Sequence, residues 1–202
     1  MEKNKNEIIQ TAHSLFSLYG LKSVSMEDIA RELKISKKTL YDHCSNKEEL
    51  ILLGLEHVFK NLFSEFETIM EKNDHPIVQL TFIYEQIINE IAKMEEIYVR
   101  SIQHYSLAVS EKLEQFRNET IVQFVKPLLL KARNLDNIKP EINIDLFIAS
   151  YLSEIEIRYY QAKQFLPDLT SNMALKHLIL SPVFGICQPN CVESISGITG
   201  DN

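Results

Sequence analysis

Glycine is scarce in this 202-residue chain, five in all, and the turn signals that many short strands require are correspondingly few, which argues against an all-β fold. Three cysteines in this length make no disulfide framework and fit a reducing, cytoplasmic setting. No apolar run approaches the roughly 18 residues that suggest a membrane-spanning helix, so no membrane partner is expected. The opening MEKNKNEIIQ has charge without a following apolar stretch and does not read as a signal peptide. Nucleophile-elbow, phosphate-loop and zinc-protease signatures are all missing, which lowers the odds of an enzyme without closing the case. None of the six histidines stands three residues after a glutamate, so di-iron pairs are absent too. Cys187 and Cys191 have no histidine or third cysteine close by and read as free thiols. No catalytic residue, metal site or cofactor is expected.

What is present is apolar periodicity and an uneven charge. Hydrophobic residues make up 45 % of the chain, enough for a packed core. Its 21 basic and 28 acidic side chains divide unequally, because residues 1–50 hold eight of each and the whole net charge of −7 falls on residues 51–202. Between Lys34 and Lys47 four lysines face one aspartate. An acidic body with a locally basic opening stretch is expected if only one end meets phosphate.

Helical spacing runs throughout. A first helix over about 6–19 carries Ile8, Ile9, Ala12, Leu15, Phe16 and Tyr19, with Gly20 placed to end it. Further helices are expected over about 47–72, 76–93, 95–108 and 110–133, the last kinked by Pro127, which should free the Gln123 carbonyl. The most apolar helix, about 144–165, has two apolar rows and predicts burial on two sides. A final helix spans about 170–184, and the Ser/Gly/Pro/Asn-rich residues 186–202 read as a flexible tail.

The most informative stretch is SMEDIARELKISKKTLYDHCSNKEEL, residues 25–50. Ile29, Ala30 and Leu33 share one helical face, and Ser25 with Asp28 forms a capping-box variant. The period breaks at Lys34-Ile35-Ser36, and Ser36 can cap a second helix to about Cys44. Only Leu40 and Cys44 face inward there, leaving Lys37, Lys38, Thr39, Asp42 and His43 for a neighbouring molecule. Such an arrangement suits a helix-turn-helix, whose second helix enters the DNA major groove.

The same residues carry a family resemblance. Gly20, Asp28-Ile29-Ala30, Ser36, Thr39-Leu40-Tyr41, His43 and Lys47-Glu48-Glu49-Leu50 together resemble the DNA-binding domain of the TetR family of transcriptional regulators over about residues 6–50. Two departures stand out: Cys44 where the family usually has Phe, and Lys38 where it often has a small residue. The resemblance implies an all-α chain, with a three-helix helix-turn-helix domain (1–47), a larger helical ligand-binding and dimerisation bundle (48–185) and the tail (186–202). Implied DNA-binding residues are Ser25, Ser36, Lys37, Lys38, Thr39, Tyr41, His43 and Lys47. Lysines at 37 and 38 are the candidates for base edges, Tyr41 and His43 for the backbone or nearby bases, and the others for the DNA backbone. Implied partners are double-stranded DNA with a palindrome-like operator, a second copy of the chain, and a small-molecule inducer. The chain would act as a repressor released by that inducer, although activation stays open.

Tyr84, Tyr98, Tyr105, Thr120 and Phe124 lie on inward stripes and are the candidate ligand-binding residues, although inward aromatics are ordinarily core. The alternative is a helical small-molecule-binding module, or an enzyme, without DNA binding. Lys37, Thr39, Tyr41 and Lys47 argue against that loss, because the groups needed for phosphate contact are intact.

Overall fold

The computed structural model describes residues 4–72 and 74–196. The helices begin with α1 (Lys5–Tyr19), α2 (Met26–Leu33), α3 (Lys37–Tyr41), α4 (Lys47–Glu71) and α5 (Pro76–Ala92). Next come α6 (Glu96–Ile102), α7 (Leu107–Thr120), α8 (Lys126–Asn134), α9 (Ile144–Phe147) and α10 (Ile155–Phe165). The described chain closes with α11 (Ser171–Ala174), α12 (Ser181–Ile186) and α13 (Pro189–Ser196). Three π-turns join some of these, at Ile121–Val125, Ile148–Leu152 and Leu175–Leu180. Among the described residues there is no β-strand, only an isolated bridge between Ile138 and Cys187. The all-α expectation is met.

One compact unit comprises the chain up to Asn61 together with Lys93–Phe116. The Asn4 side chain caps α1 by accepting from the Glu7 N–H at 2.8 Å, and the helix buries Ile8, Ile9, Ala12 and Phe16. Tyr19, expected on that stripe, is 59 % exposed. Gly20 ends the helix at φ +80°, ψ 156°, a conformation essentially restricted to glycine, with its N–H on the Phe16 carbonyl at 2.8 Å. Ile29, Leu33, Leu40, Cys44, Leu50 and Tyr98 complete the interior of this unit. The helix expected to start near Ser110 starts at Leu107, since the Ser106 hydroxyl accepts from the Val109 N–H at 3.3 Å.

The other unit comprises Leu62–Ala92 and the residues from Arg117 onward. At its centre is α5, buried around most of its circumference and packed on α8, α10 and α11. Gln79, 1 % exposed, donates its amide to the carbonyls of Ile69 at 3.0 Å and Lys72 at 2.7 Å, which caps the end of α4. Pro127 falls in the first turn of α8, directly after a π-turn. A proline ring crowds the carbonyl four residues before it and has no N–H to pair with it. Ahead of Pro127 and of Pro182 the helix widens to a π-turn, with Lys126 N–H on Ile121 O and Ser181 N–H on Lys176 O.

The single helix expected over 144–165 is broken. A π-turn ends at Ser153, which is extended, and Glu154 follows in the left-handed region at φ 50°. The freed carbonyls are met by side chains: Ser153 Oγ donates to Ala149 O at 2.8 Å, Arg158 to Ser150 O, and the buried Tyr84 hydroxyl to Leu152 O at 2.7 Å. Of the main expected row, Ile144, Phe147, Ile148, Leu152, Ile155 and Tyr159 are buried but Tyr151 is 47 % exposed; of the second, Leu146 is 66 % exposed and Ala149 exposed, whereas Tyr160 is buried.

The expected tail is also different as far as it is described. Pro189 opens α13, Gln188 N–H donates to Asn137 O at 2.8 Å, and Cys187 and Cys191 are buried. Neither cysteine is in a disulfide, and burial pushes the Cys187 thiol up to about 12. Residues 197–202 of that segment lie outside the described residues.

Candidate nucleic-acid interface

The interface is built by local chemistry. In front of α2, Ser25 and Asp28 form a full capping box. Asp28 N–H donates to Ser25 Oγ at 3.2 Å, while Ser25 N–H and its hydroxyl donate to Asp28 Oδ2 at 2.9 and 2.6 Å. These bonds hold the Asp28 carboxyl below its ordinary range, helped by Arg31 at 3.0 Å. Lys34 closes α2 in the left-handed region at φ 57°, ψ 39°, and Ile35 N–H returns to Ala30 O at 3.0 Å. Two residues after Lys34, Ser36 accepts from Thr39 N–H at 3.0 Å, and the two hydroxyls bond each other at 2.8 Å. Leu40 and Cys44 anchor α3 from below, with Cys44 Sγ on Leu40 O at 3.4 Å. The helix itself stops at Tyr41, short of the expected Cys44.

This geometry turns one face outward. Lys37, Lys38, Asp42 and Tyr41 are exposed, the last at 48 %, while Thr39 and His43 are half-buried. Lys37 Nζ lies 2.6 Å from Glu27 Oε2 of α2, a pairing that lowers the Glu27 carboxyl and raises the Lys37 ammonium from their ordinary values. Lys38 has no ion pair among the described residues. Lys47 turns partly inward: its ammonium donates to the Leu21 carbonyl and lies 5.7 Å from the Phe16 ring centroid, and burial pulls its pKa down. Behind it, Leu21 N–H donates to Ser101 Oγ at 3.3 Å. Opening α4, Asn46 Oδ1 accepts from Glu49 N–H at 2.9 Å. Sequence reasoning missed Glu27, whose partner lies ten positions away across the turn; no spacing rule marks such a pair.

The candidate ligand residues are distributed between the two units. Tyr98 and Tyr105 belong to the first, with Tyr98 edge-on to His13 at 5.9 Å and Tyr105 half-buried. Tyr84, Thr120 and Phe124 belong to the second. Phe124 packs on Phe63 and Phe66 at centroid distances of 5.7 and 5.3 Å. Thr120 is 5 % exposed, and its hydroxyl has no hydrogen-bond partner among the described residues. The Tyr84 hydroxyl is held by Leu152 O, as above.

Two short capped helices joined by a tight turn, with a basic outward face, define a helix-turn-helix. Residues 8–53 match the family described as "Bacterial regulatory proteins, tetR family". The HTH-type transcriptional regulator YuxN of Bacillus subtilis strain 168 is 33 % identical over 119 residues, 57 % of this chain and 40 % of that protein. IcaR of Staphylococcus epidermidis, the negative transcriptional regulator of the biofilm operon icaADBC, is 30 % identical over 96 residues, 48 % of this chain and 50 % of that one. The matches thus span about half the length of the curated relatives. The solved structure of the fatty acid degradation regulator FadR from Bacillus halodurans superposes with a TM-score of 0.71, at 13 % identity, over 92 % of this chain and 98 % of that one. The family match covers residues 8–53, and the likeness to the solved regulator extends a shared fold over most of the chain. No helix among its described residues is long and apolar enough to cross a membrane.

Proposed function

We propose that this chain is a sequence-specific, DNA-binding transcriptional regulator of the cytoplasm, working as a homodimeric repressor that a small molecule releases from its operator. The observation that carries the reading is the outward face of α3, held by the Ser25 and Ser36 caps on a domain matched to the family. IcaR, one of the relatives, is named as a negative regulator, which supports repression. Residues 1–47 form the DNA-binding part and 48–185 the sensing and pairing part.

Lys37 and Lys38 reach base edges, while Ser25, Ser36, Thr39, Tyr41 and His43 meet the DNA backbone. Lys47 binds a phosphate from where it now stands, since an ammonium has three donors and the Leu21 carbonyl takes one. Two copies read half-sites about one helical turn apart, roughly 34–36 Å. The exposed Leu146 and Ala149 row is the face offered to the second copy. The inducer is received within the second unit, by Tyr84, Thr120 and Phe124, with the unpartnered Thr120 hydroxyl as a polar anchor.

Binding selection on random duplexes at moderate salt tests the reading. An enriched palindrome-like site is expected, and no enrichment would contradict it.

A further inference from the structure

Glu27, paired with Lys37, is the residue of the reading face that the function described above does not use. Lys37 is the first residue of α3 and Glu27 lies in the first turn of α2. Both side chains are exposed, at 55 % and 62 %, yet they meet at 2.6 Å across the turn. The neighbouring charges favour this pairing over others. Arg31, the nearest alternative cation on α2, is held by Asp28 at 3.0 Å, and Asp28 is itself engaged by Ser25. Glu27 therefore faces Lys37, and Lys37 faces Glu27 with Tyr41 beyond it.

A lone lysine discriminates bases poorly, because its ammonium is a point charge on a flexible stem. Clamped by a carboxylate, it keeps free N–H donors in a narrower range of directions. The carboxylate adds an acceptor beside them and repels any phosphate or base acceptor placed there. A G·C pair presents the complementary pattern in the major groove: guanine N7 and O6 accept, and the adjacent cytosine N4 donates. Docking also removes water from the exposed pair, which strengthens its electrostatics over what it contributes in solution.

We infer that Glu27 is a specificity-determining residue, and that Glu27 and Lys37 together read one G·C base pair in each half-site, Lys37 at guanine and Glu27 at cytosine. This rests on the DNA-binding reading above. Glu27 is a negative charge at a surface that must approach phosphate, so it lowers indiscriminate binding while adding selectivity.

The test is parallel binding selection with the full chain, wild type against Glu27→Ala, Glu27→Gln, Lys37→Ala and the Glu27→Ala/Lys37→Ala double variant. Far-UV circular dichroism checks folding, which should persist because the capping box uses Ser25 and Asp28 and not Glu27. In the wild type one G·C position per half-site is expected. Glu27→Ala should lower the preference there about tenfold, the order of one good base contact, and leave the rest of the motif intact. Lys37→Ala should relax the same position, the double variant should add little, and Glu27→Gln, which keeps an acceptor, should retain more preference than Glu27→Ala. Unchanged preference in Glu27→Ala, or relaxation at a different position from Lys37→Ala, overturns the inference and leaves DNA binding standing. A wild-type chain that selects no motif overturns both.

Discussion

In the helix-turn-helix, backbone N–H groups at helix starts are met by side chains three residues away; the second unit has such caps too, at Asn143 and Thr170, but its Leu152 and Ile91 carbonyls are met by side chains 68 and 69 residues away. Ser25, Ser36 and Asn46 each accept from the N–H three positions on. Tyr84 and Tyr160, by contrast, donate to the carbonyls of Leu152 and Ile91. Short local caps let a small region with little core hold a defined outward face. Distant caps allow helices to widen or break inside a core without leaving carbonyls bare. The first arrangement presents a surface, and the second builds an interior.

The comparison can be strained at several points. The largest effect is expected for Gly20→Ala, because φ +80° with ψ 156° excludes a side chain and the new Cβ would lie 3.1 Å from Ile97 Cγ1. Urea unfolding should show a loss of about 3 kcal/mol; a loss near zero would mean that the turn relaxes freely. Tyr84→Phe keeps the ring and strands a buried carbonyl, so about 2 kcal/mol should go. Ser36→Ala removes a local cap at an exposed helix end and should cost about 1 kcal/mol. If Ser36→Ala cost more than Tyr84→Phe, the contrast between local and distant caps would be reversed.

The smallest effect is electrostatic. His75 accepts from Ile77 N–H at 3.2 Å through Nδ1 and pairs with Asn137 at 2.8 Å, and burial holds its pKa below the ordinary 6.5. The unfolded chain then binds the proton more readily, so this contribution is complete above about 6.5 and is lost as pH falls through the folded pKa. Replacing His75 with Gln should flatten stability against pH just below 6.5; an unchanged slope would remove His75 from that account.

The same contrast explains what could be read in advance. The capping box at Ser25, the turn at Lys34–Ser36, the Ser36 cap and the end of α1 at Gly20 all follow from neighbours within a few residues, and the structure has each of them. The break at Ser153–Glu154 was not legible, because the Tyr84 hydroxyl that sustains it is remote in sequence. Apolar spacing through 144–165 is continuous, so periodicity alone gives one helix. Apolar spacing misplaces the start of α7 at Ser110, because it carries the preceding helix through Ser106, the residue that caps it. Composition concealed α13, whose buried Cys191 offers only a weak hydrophobic signal. At the outward face of α3 the lysines were legible as a cluster, but the Glu27 pairing and the inward turn of Lys47 depend on how α2, α3 and α4 meet.

The central claim is that α3 reads base sequence and does more than attract phosphate. The most direct measurement is a titration of the full chain against its selected duplex and against a scrambled duplex of equal length and composition, at one fixed salt concentration. The account predicts that the selected site binds at least about a thousandfold more tightly. Equal affinity for the two duplexes would contradict it.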